Sequence, residues 1–351
     1  MKVTLKLIAL VLFITLTGVG CISFSGKSRQ ADGGVFKTVD QGEHWVVKKV
    51  FLTAEGIKSI SGENIVALTV DPQDHLALYA GTTDSGLFYT YDGGDSWFQA
   101  RQLSGGRVNA VSVDAKNKCT IYVASGQRIW KSVDCSRSFT PIYFEARSNV
   151  TMTQITADWF NTRVLYAGTS EGDVLKSADG GANWASVHRL EDRVVSIYID
   201  PFDSRIVYIG LKDDGLWKTT DAGGTWVELS DALKDFGRGR GLVSIVGDAV
   251  TRDLLMIANK YGILRSTDGG VSWQALNLPT PPESVTIHSL AVNPRNGNEI
   301  YYGTASTFYR STNGGANWTT KKLPTSRAAT MLLVDFQDSN VLYLGTTLIK
   351  R

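Results

Sequence analysis

Apolar and polar positions alternate along most of the chain in runs of about four to eight residues. One series reads Ile65-Val66-Ala67-Leu68-Thr69-Val70-Asp71, the turn Pro72-Gln73-Asp74, then Leu78-Tyr79-Ala80-Gly81, Gly86-Leu87-Phe88-Tyr89 and Trp97-Phe98-Gln99. A period of two sends alternate side chains to opposite faces of a strand, and the Gly, Asp and Pro between runs are turn formers. The series predicts four antiparallel strands, A to D, joined by turns and loops. The strand B tyrosine recurs at Tyr122, Tyr166, Tyr208, Tyr301 and Tyr343.

A second signal lies between strands C and D. Its clearest copy is Lys176-Ser177-Ala178-Asp179-Gly180-Gly181-Ala182-Asn183-Trp184, and others start at Thr38, Thr90, Ser132, Thr219, Ser266 and Ser311. Its acidic position falls at Asp40, Asp92, Asp134, Asp179, Asp221, Asp268 and, as an amide, Asn313. Its aromatic position falls at Trp45, Trp97, Phe139, Trp184, Trp226, Trp273 and Trp318. The acidic positions are 52, 42, 45, 42, 47 and 45 residues apart. A period of about 40–45 residues is that of one four-stranded propeller blade. The carboxylate can accept N–H bonds from its own turn, the glycine takes a left-handed backbone freely, and the tryptophan buries a large ring. The seven positions therefore read as structural, although a cluster of Asp, Ser and Trp invites a catalytic reading.

The Ser/Thr-x-Asp-x-Gly-x-x-Trp pattern resembles the Asp box, or bacterial neuraminidase repeat. That repeat occurs in sialidases, xyloglucanase-type hydrolases, sortilin-type receptors and photosystem II assembly factors. The resemblance covers residues 33–351 and implies an all-β, seven-bladed propeller; because those families do unrelated things, it implies no single function. Gly33 to Val50 holds strands C and D around a box, and Ala329 to Thr347 holds strands A and B. Six complete units and these two halves make seven blades, the last shared by both termini, so that the ring closes and free sheet edges disappear. Blade two departs from the pattern at Ser132-Val133-Asp134-Cys135-Ser136-Arg137-Ser138-Phe139, with Ser for Gly and Phe for Trp. Cys119 ends the A–B turn of the same blade, on the propeller face that carries the boxes. A Cys119–Cys135 disulfide is expected there, the alternative being two unpaired thiols.

The N-terminus adds a location. Lys2 and Lys6 precede the apolar run Leu7 to Thr17, which is short for a membrane span. This arrangement reads as a signal peptide. The following Leu16-Thr17-Gly18-Val19-Gly20-Cys21 resembles a bacterial lipobox, with Gly18 where Leu is usual. Residues 1–21 are thus expected to be a leader ending at a lipidated Cys21, residues 22–32 a linker and residues 33–351 the propeller. An ordinary cleaved signal or an uncleaved anchor is the alternative. Each exports the domain to the periplasmic or cell-surface side. Lys2 and Lys6 account for the formal charge of +2, so the mature chain is neutral. With no Lys/Arg block, a nucleic-acid role is excluded. A monomer without cofactor or metal is expected. His44, His75, His188 and His288 lack metal-ligand spacing, and there is no phosphate loop or nucleophile elbow.

If the boxes are structural, the opposite face carries the D–A and B–C loops, where propellers of this resemblance usually bind ligands. Arg107 and Arg193 stand just before strand A, and Arg240 and Arg327 one residue earlier in their blades. Guanidinium groups suit carboxylate or phosphate, so the four are candidates for a ring that binds an anion or a peptide. The alternative is four solvated cations paired with Glu191, Asp192, Asp231 or Asp235. The B–C loops supply Asp84, Glu171, Asp173, Asp213 and Asp214. Of these, Glu171, Asp173, Asp213 and Asp214 are the candidates for an acid/base pair acting on a glycan. Ordinary turn chemistry is their alternative. The longest D–A loop, Leu229 to Gly241, is read as two helical turns ended by Gly237 and a mobile Gly-Arg-Gly-Arg-Gly tail, either a lid or a solvated loop. The reading favoured is a non-catalytic protein-binding or assembly scaffold held on the membrane by lipid. A surface glycoside hydrolase or carbohydrate-binding protein is the second.

Overall fold

A computed structural model describes residues 32–349. Cys21, the leader and most of the linker lie outside the described residues. Seven four-stranded antiparallel sheets form a β-propeller, and in six of them each strand pairs with its sequence neighbour. Blade one consists of strands A Ile65–Asp71, B Asp74–Thr82, C Leu87–Thr90 and D Phe98–Gln99. The later A strands are Val108–Asp114, Met152–Ala157, Val194–Ile199, Leu242–Val246, Ser289–Asn293 and Ala328–Val334. Blade seven is assembled from both ends: Leu342–Thr347 pairs with Gly34–Thr38, which pairs with Val46–Lys48. Packed against a neighbour on each face, a blade buries its B strand continuously and not at alternate residues, as at Leu165–Thr169, Val207–Leu211 and Leu255–Asn259. The strand B tyrosines Tyr79, Tyr122, Tyr166, Tyr208, Tyr301 and Tyr343 are all buried between blades.

The hairpin turns repeat with the same bonds in all seven blades. Each leading Ser or Thr donates its hydroxyl to Oδ1 of the Asp or Asn two places on, at 2.6–3.0 Å. The same oxygen accepts the N–H four places on, at 2.8–3.1 Å. The carboxylate or amide Oδ1 accepts the N–H four places beyond itself, at 2.8–2.9 Å. Finally, each turn donates one backbone N–H to the A–B turn of its own blade, at 2.8–3.2 Å; in blade two this is Cys135 N–H to Cys119 O. The Cys119–Cys135 disulfide joins those same two turns.

The turns also hold neighbouring blades together. Lys131, Lys176 and Lys218 each lie over the tyrosine ring of their own blade and donate to a carbonyl in the next blade's turn, at Gly180, Ala222 and Gly269. Tyr166 and Tyr208 hydroxyls donate to Ala222 and Gly269 as well. On the other side, Ile142 of blade two fills the space beside Gly181, where a Cβ would come within 2.3 Å of Ile142 Cδ1. The backbone there has φ of +92°, so glycine is required twice over.

Three features depart from the sequence reading. Val50–Thr53 and Gly56–Ser59 form an extra hairpin between blades seven and one, which accounts for the long 52-residue first interval. Leu229 to Phe236 forms one 3-10 turn, Ser230–Leu233, instead of two helical turns. The glycine-arginine tail is tied down: Asn259 Nδ2 donates to Gly239 O at 2.9 Å and Arg238 N–H donates to Glu283 at 3.1 Å. These bonds to blade five draw the chain inward before a second helical turn can form.

Candidate functional site at the channel mouth

The A strands are innermost and surround a central cavity of about 340 Å³ to which all seven blades contribute. Side chains stitch neighbouring A strands around it. Thr69 donates to Val111 O, Asn109 to Met152 O, Gln154 to Val195 O, Ser289 to Ala329 O and Thr330 to Ile65 O, at 2.7–3.0 Å. Between blades five and six, Ser244 Oγ is buried without a hydrogen-bond partner. His288 also lines this cavity, and burial lowers its pKa.

The two ends of the cavity differ. At the box end, each A strand finishes in a buried Asx turn. Asp71, Asp114, Asp158, Asp200, Asp248, Asn293 and Asp335 each accept backbone N–H two residues on through Oδ1, at 2.7–3.1 Å. The sequence reading passed over this second ring, although its residues recur with the blade period. Asp335 also meets His75 Nδ1 of blade one at 2.9 Å.

At the loop end, Arg107, Asn109, Gly126, Thr151, Arg193, Lys212, Val195, Leu242 and Val243 line an open cavity of about 680 Å³. Arg107 and Arg193 occupy equivalent places, one residue before strand A. Arg107 Nε donates to Asn109 Oδ1 at 2.6 Å. Lys212 is set beside Arg193 by its N–H bond to Arg193 O at 3.0 Å. Shielding from solvent lowers the pKa of both arginines, and for Arg193 the charge of Arg107 adds to it. Arginine remains charged through such shifts. Neither guanidinium forms an ion pair among the described residues, and no carboxylate lines this cavity. From outside the lining, Asp84 and Asp192 act on Arg107 and Arg193, and Lys212 lies 3.7 Å from Asp213. The three cations stand over a floor of Val195, Leu242 and Val243, a setting for one anionic group on a partly apolar stem.

The other two arginines are elsewhere. Arg240 lies in an adjoining cavity of about 390 Å³ and meets Asp214 at 3.3 Å, Glu228 at 3.3 Å and Asp231 at 3.6 Å. Arg327 is only 1% exposed. Its Nη1 donates to Gly62 O, Glu63 O and Asn64 Oδ1 at 2.9–3.3 Å, and its Nε lies 3.4 Å from Asp32. Arg327 therefore clamps the closure between blades seven and one and does not face the mouth. The same offset before strand A leaves Arg240 in an open cavity, so it is the acceptor-lined seam at Gly62, Glu63 and Asn64 that takes Arg327 inward.

Three of the four candidate carboxylates are engaged by cations. Asp173 is buried and accepts from Arg147 Nη2 at 2.6 Å and Thr169 Oγ1 at 3.1 Å. Arg147 also bridges Glu145 at 2.8 Å, and its hydrogen bonds hold the Glu145 carboxyl down at about 2. Asp213 pairs with Lys260 and Lys212, and Asp214 with Arg240. Glu171 is exposed.

No protein-family model matches the sequence, and no curated protein does. Solved structures do match. A xyloglucanase of glycoside hydrolase family 74 from Xanthomonas campestris superposes with a TM-score of 0.66 at 17% identity, over 81% of this chain and 51% of that one. The Niastella koreensis enzyme of the same family gives the same values. The chain thus spans about half the length of the xyloglucanases it matches. YCF48 bound to D1 peptide superposes with a TM-score of 0.61 at 17% identity, over 82% of this chain and 93% of that one. At these identities the likeness establishes the propeller fold alone.

Proposed function

We propose that this propeller is a non-catalytic binding or assembly module, exported and anchored through Cys21, whose mouth takes an anionic group of a protein partner. The observation that carries this is the juxtaposition of Arg107, Arg193 and Lys212 around one cavity without a lining carboxylate. The Asp-box resemblance gives such a module its rigid ring. YCF48, 93% of whose chain is covered by the match, has been solved with a D1 peptide bound, which supports the same use of the fold here. The glycosidase reading has less support. A retaining or inverting mechanism needs two carboxylates about 5–10 Å apart across the substrate. Here Asp173, Asp213 and Asp214 are each engaged by cations.

The test is cross-linking from native membranes with the full chain and an Arg107→Ala/Arg193→Ala variant side by side. The expected result is a protein captured by the native chain and lost by the variant. Equal recovery by both overturns the assignment to the mouth, and cleavage of a polysaccharide by the purified chain overturns the non-catalytic reading.

A further inference from the structure

Blade one meets the turn of blade two without the cation that its counterparts carry. The residue before the box is Lys37, Lys131, Lys176, Lys218, Arg265 or Arg310 in six blades, and Tyr89 in blade one. Lys131, Lys176 and Lys218 each reach the carbonyl three places after the leading Ser or Thr of the next turn. In blade two that carbonyl belongs to Cys135. It accepts from the Tyr91 hydroxyl, a neutral and exposed donor, at 2.9 Å. Tyr89 itself lies against Tyr91 and Phe98 of its own blade.

The blade two turn is also built against local preference. Cys135 and Ser136 hold φ of 56° and 65°, whereas every other box turn has glycine at one or both of these left-handed places. The backbone bond from this turn to its own A–B turn, Cys135 N–H to Cys119 O, is the longest of the seven at 3.2 Å. The Cys119–Cys135 disulfide falls on this same turn, and both cysteines are partly exposed.

We infer that this disulfide is a redox latch. Oxidised, it holds the blade two turn in the ring. Reduced, it releases that turn from its A–B turn and from blade one, while the other six stay docked. The reductant is a dithiol, whose first thiolate attacks one sulfur of the pair. The S–S bond breaks as a mixed disulfide forms, and the second thiolate of the reductant displaces the remaining cysteine. Two electrons and two protons pass to Cys119 and Cys135, and the reductant leaves as a disulfide. The release is local. The inner strands stay stitched by Thr69 to Val111 O at 3.0 Å and Gln73 to Asp114 O at 3.2 Å, and Lys118 faces Asp74 at 3.7 Å. Ser132 and Asp134 retain the bonds inside the turn, so it moves as a unit. What still restrains it is the Tyr91 bond, the long Cys135 bond and the packing of Phe139 in a cluster shared with Tyr79 and Leu87 of blade one. The latch is independent of what the mouth binds.

The test is amide hydrogen exchange read by mass spectrometry on the full chain, oxidised and in dithiothreitol, without denaturant. Alkylation of a parallel sample counts the thiols. On reduction, exchange across residues 132–139 should rise at least about tenfold. Residues 177–184, the equivalent turn with a lysine brace and two glycines, should change by less than about twofold. Tyr89→Lys sets a cation opposite Cys135 O and should cut the rise at least about threefold. An equal rise in both turns, no rise in the fully reduced chain, or reduction only in denaturant overturns the latch. A rise that Tyr89→Lys leaves unchanged overturns the missing cation as its basis.

Discussion

Blades three and four present the same box turn bond for bond. Ser177 and Thr219 donate to Asp179 and Asp221, which in turn accept from Asn183 and Thr225. On the opposite face the same two blades present Thr151 and Arg193 at equivalent ring positions, and blade two presents Arg107. One face repeats because each turn must meet both its own A–B turn and the next blade. The other is free to vary because its side chains meet solvent or a ligand. Periodicity therefore marks the scaffold, and departures from it on the mouth face mark the binding chemistry.

That division can be broken most forcefully at Arg327, which looks like a mouth residue in sequence and is a clamp in space. Arg327→Ala strands the Gly62, Glu63 and Asn64 acceptors in a buried seam. It should cost about 3–5 kcal/mol in denaturant unfolding. Cys119→Ser/Cys135→Ser should cost about 3 kcal/mol in the same measurement, since a 16-residue loop is released in the unfolded chain. The loss should be felt because Cys135 and Ser136 hold φ of 56° and 65° without glycine, at about 1–2 kcal/mol each. Asp268→Ala removes a carboxylate accepting from Ser266 and Ser272 and should cost about 1–2 kcal/mol. Arg107→Ala/Arg193→Ala should change stability by no more than about 0.5 kcal/mol while abolishing partner capture.

Acid sharpens the same contrast. Donation from Ser138 holds Asp134 at about 2, and donation from Asn183 and Thr225 does the same for Asp179 and Asp221. Burial pushes Asp268 up, but bonds from Ser272 and Ser266 outweigh it and leave it at about 2 as well. Carboxyls lower in the folded than in the unfolded state stabilise above about pH 4. That contribution drains away as pH falls from about 4 to 2. Asp71, raised by burial, works in the opposite direction. A stability profile should therefore fall across that window, and Asp268→Asn should flatten part of the fall. A flat profile in the native chain would show that the box carboxylates do not hold the ring.

The blade order, the shared seventh blade and the disulfide partners were legible because each follows from a repeated unit with one special residue per turn. The Asp71-to-Asp335 ring was equally periodic but was not singled out, because Asp is common beside turns whether buried or exposed. The fates of Arg240 and Arg327 were not legible: they hold the same place before strand A, yet Arg240 lies in an open cavity among Asp214, Glu228 and Asp231, and Arg327 in the seam with Gly62, Glu63 and Asn64. Arg147, which occupies Asp173 and bridges it to Glu145, lies in a D–A loop whose path no local pattern specifies.

The shared blade also has a consequence in time. Thr346 Oγ1 donates to Gly34 O across 312 residues of sequence. In N- to C-terminal synthesis, strand C of blade seven precedes the six whole blades and keeps one edge unpaired until Leu342–Thr347 follows them. Six blades can stack progressively, each on its predecessor, but the final step is a single long-range capture. A chain shortened by even one strand at the C-terminus would keep most of its blades and remain an open arc, with two adhesive edges where the finished ring has none.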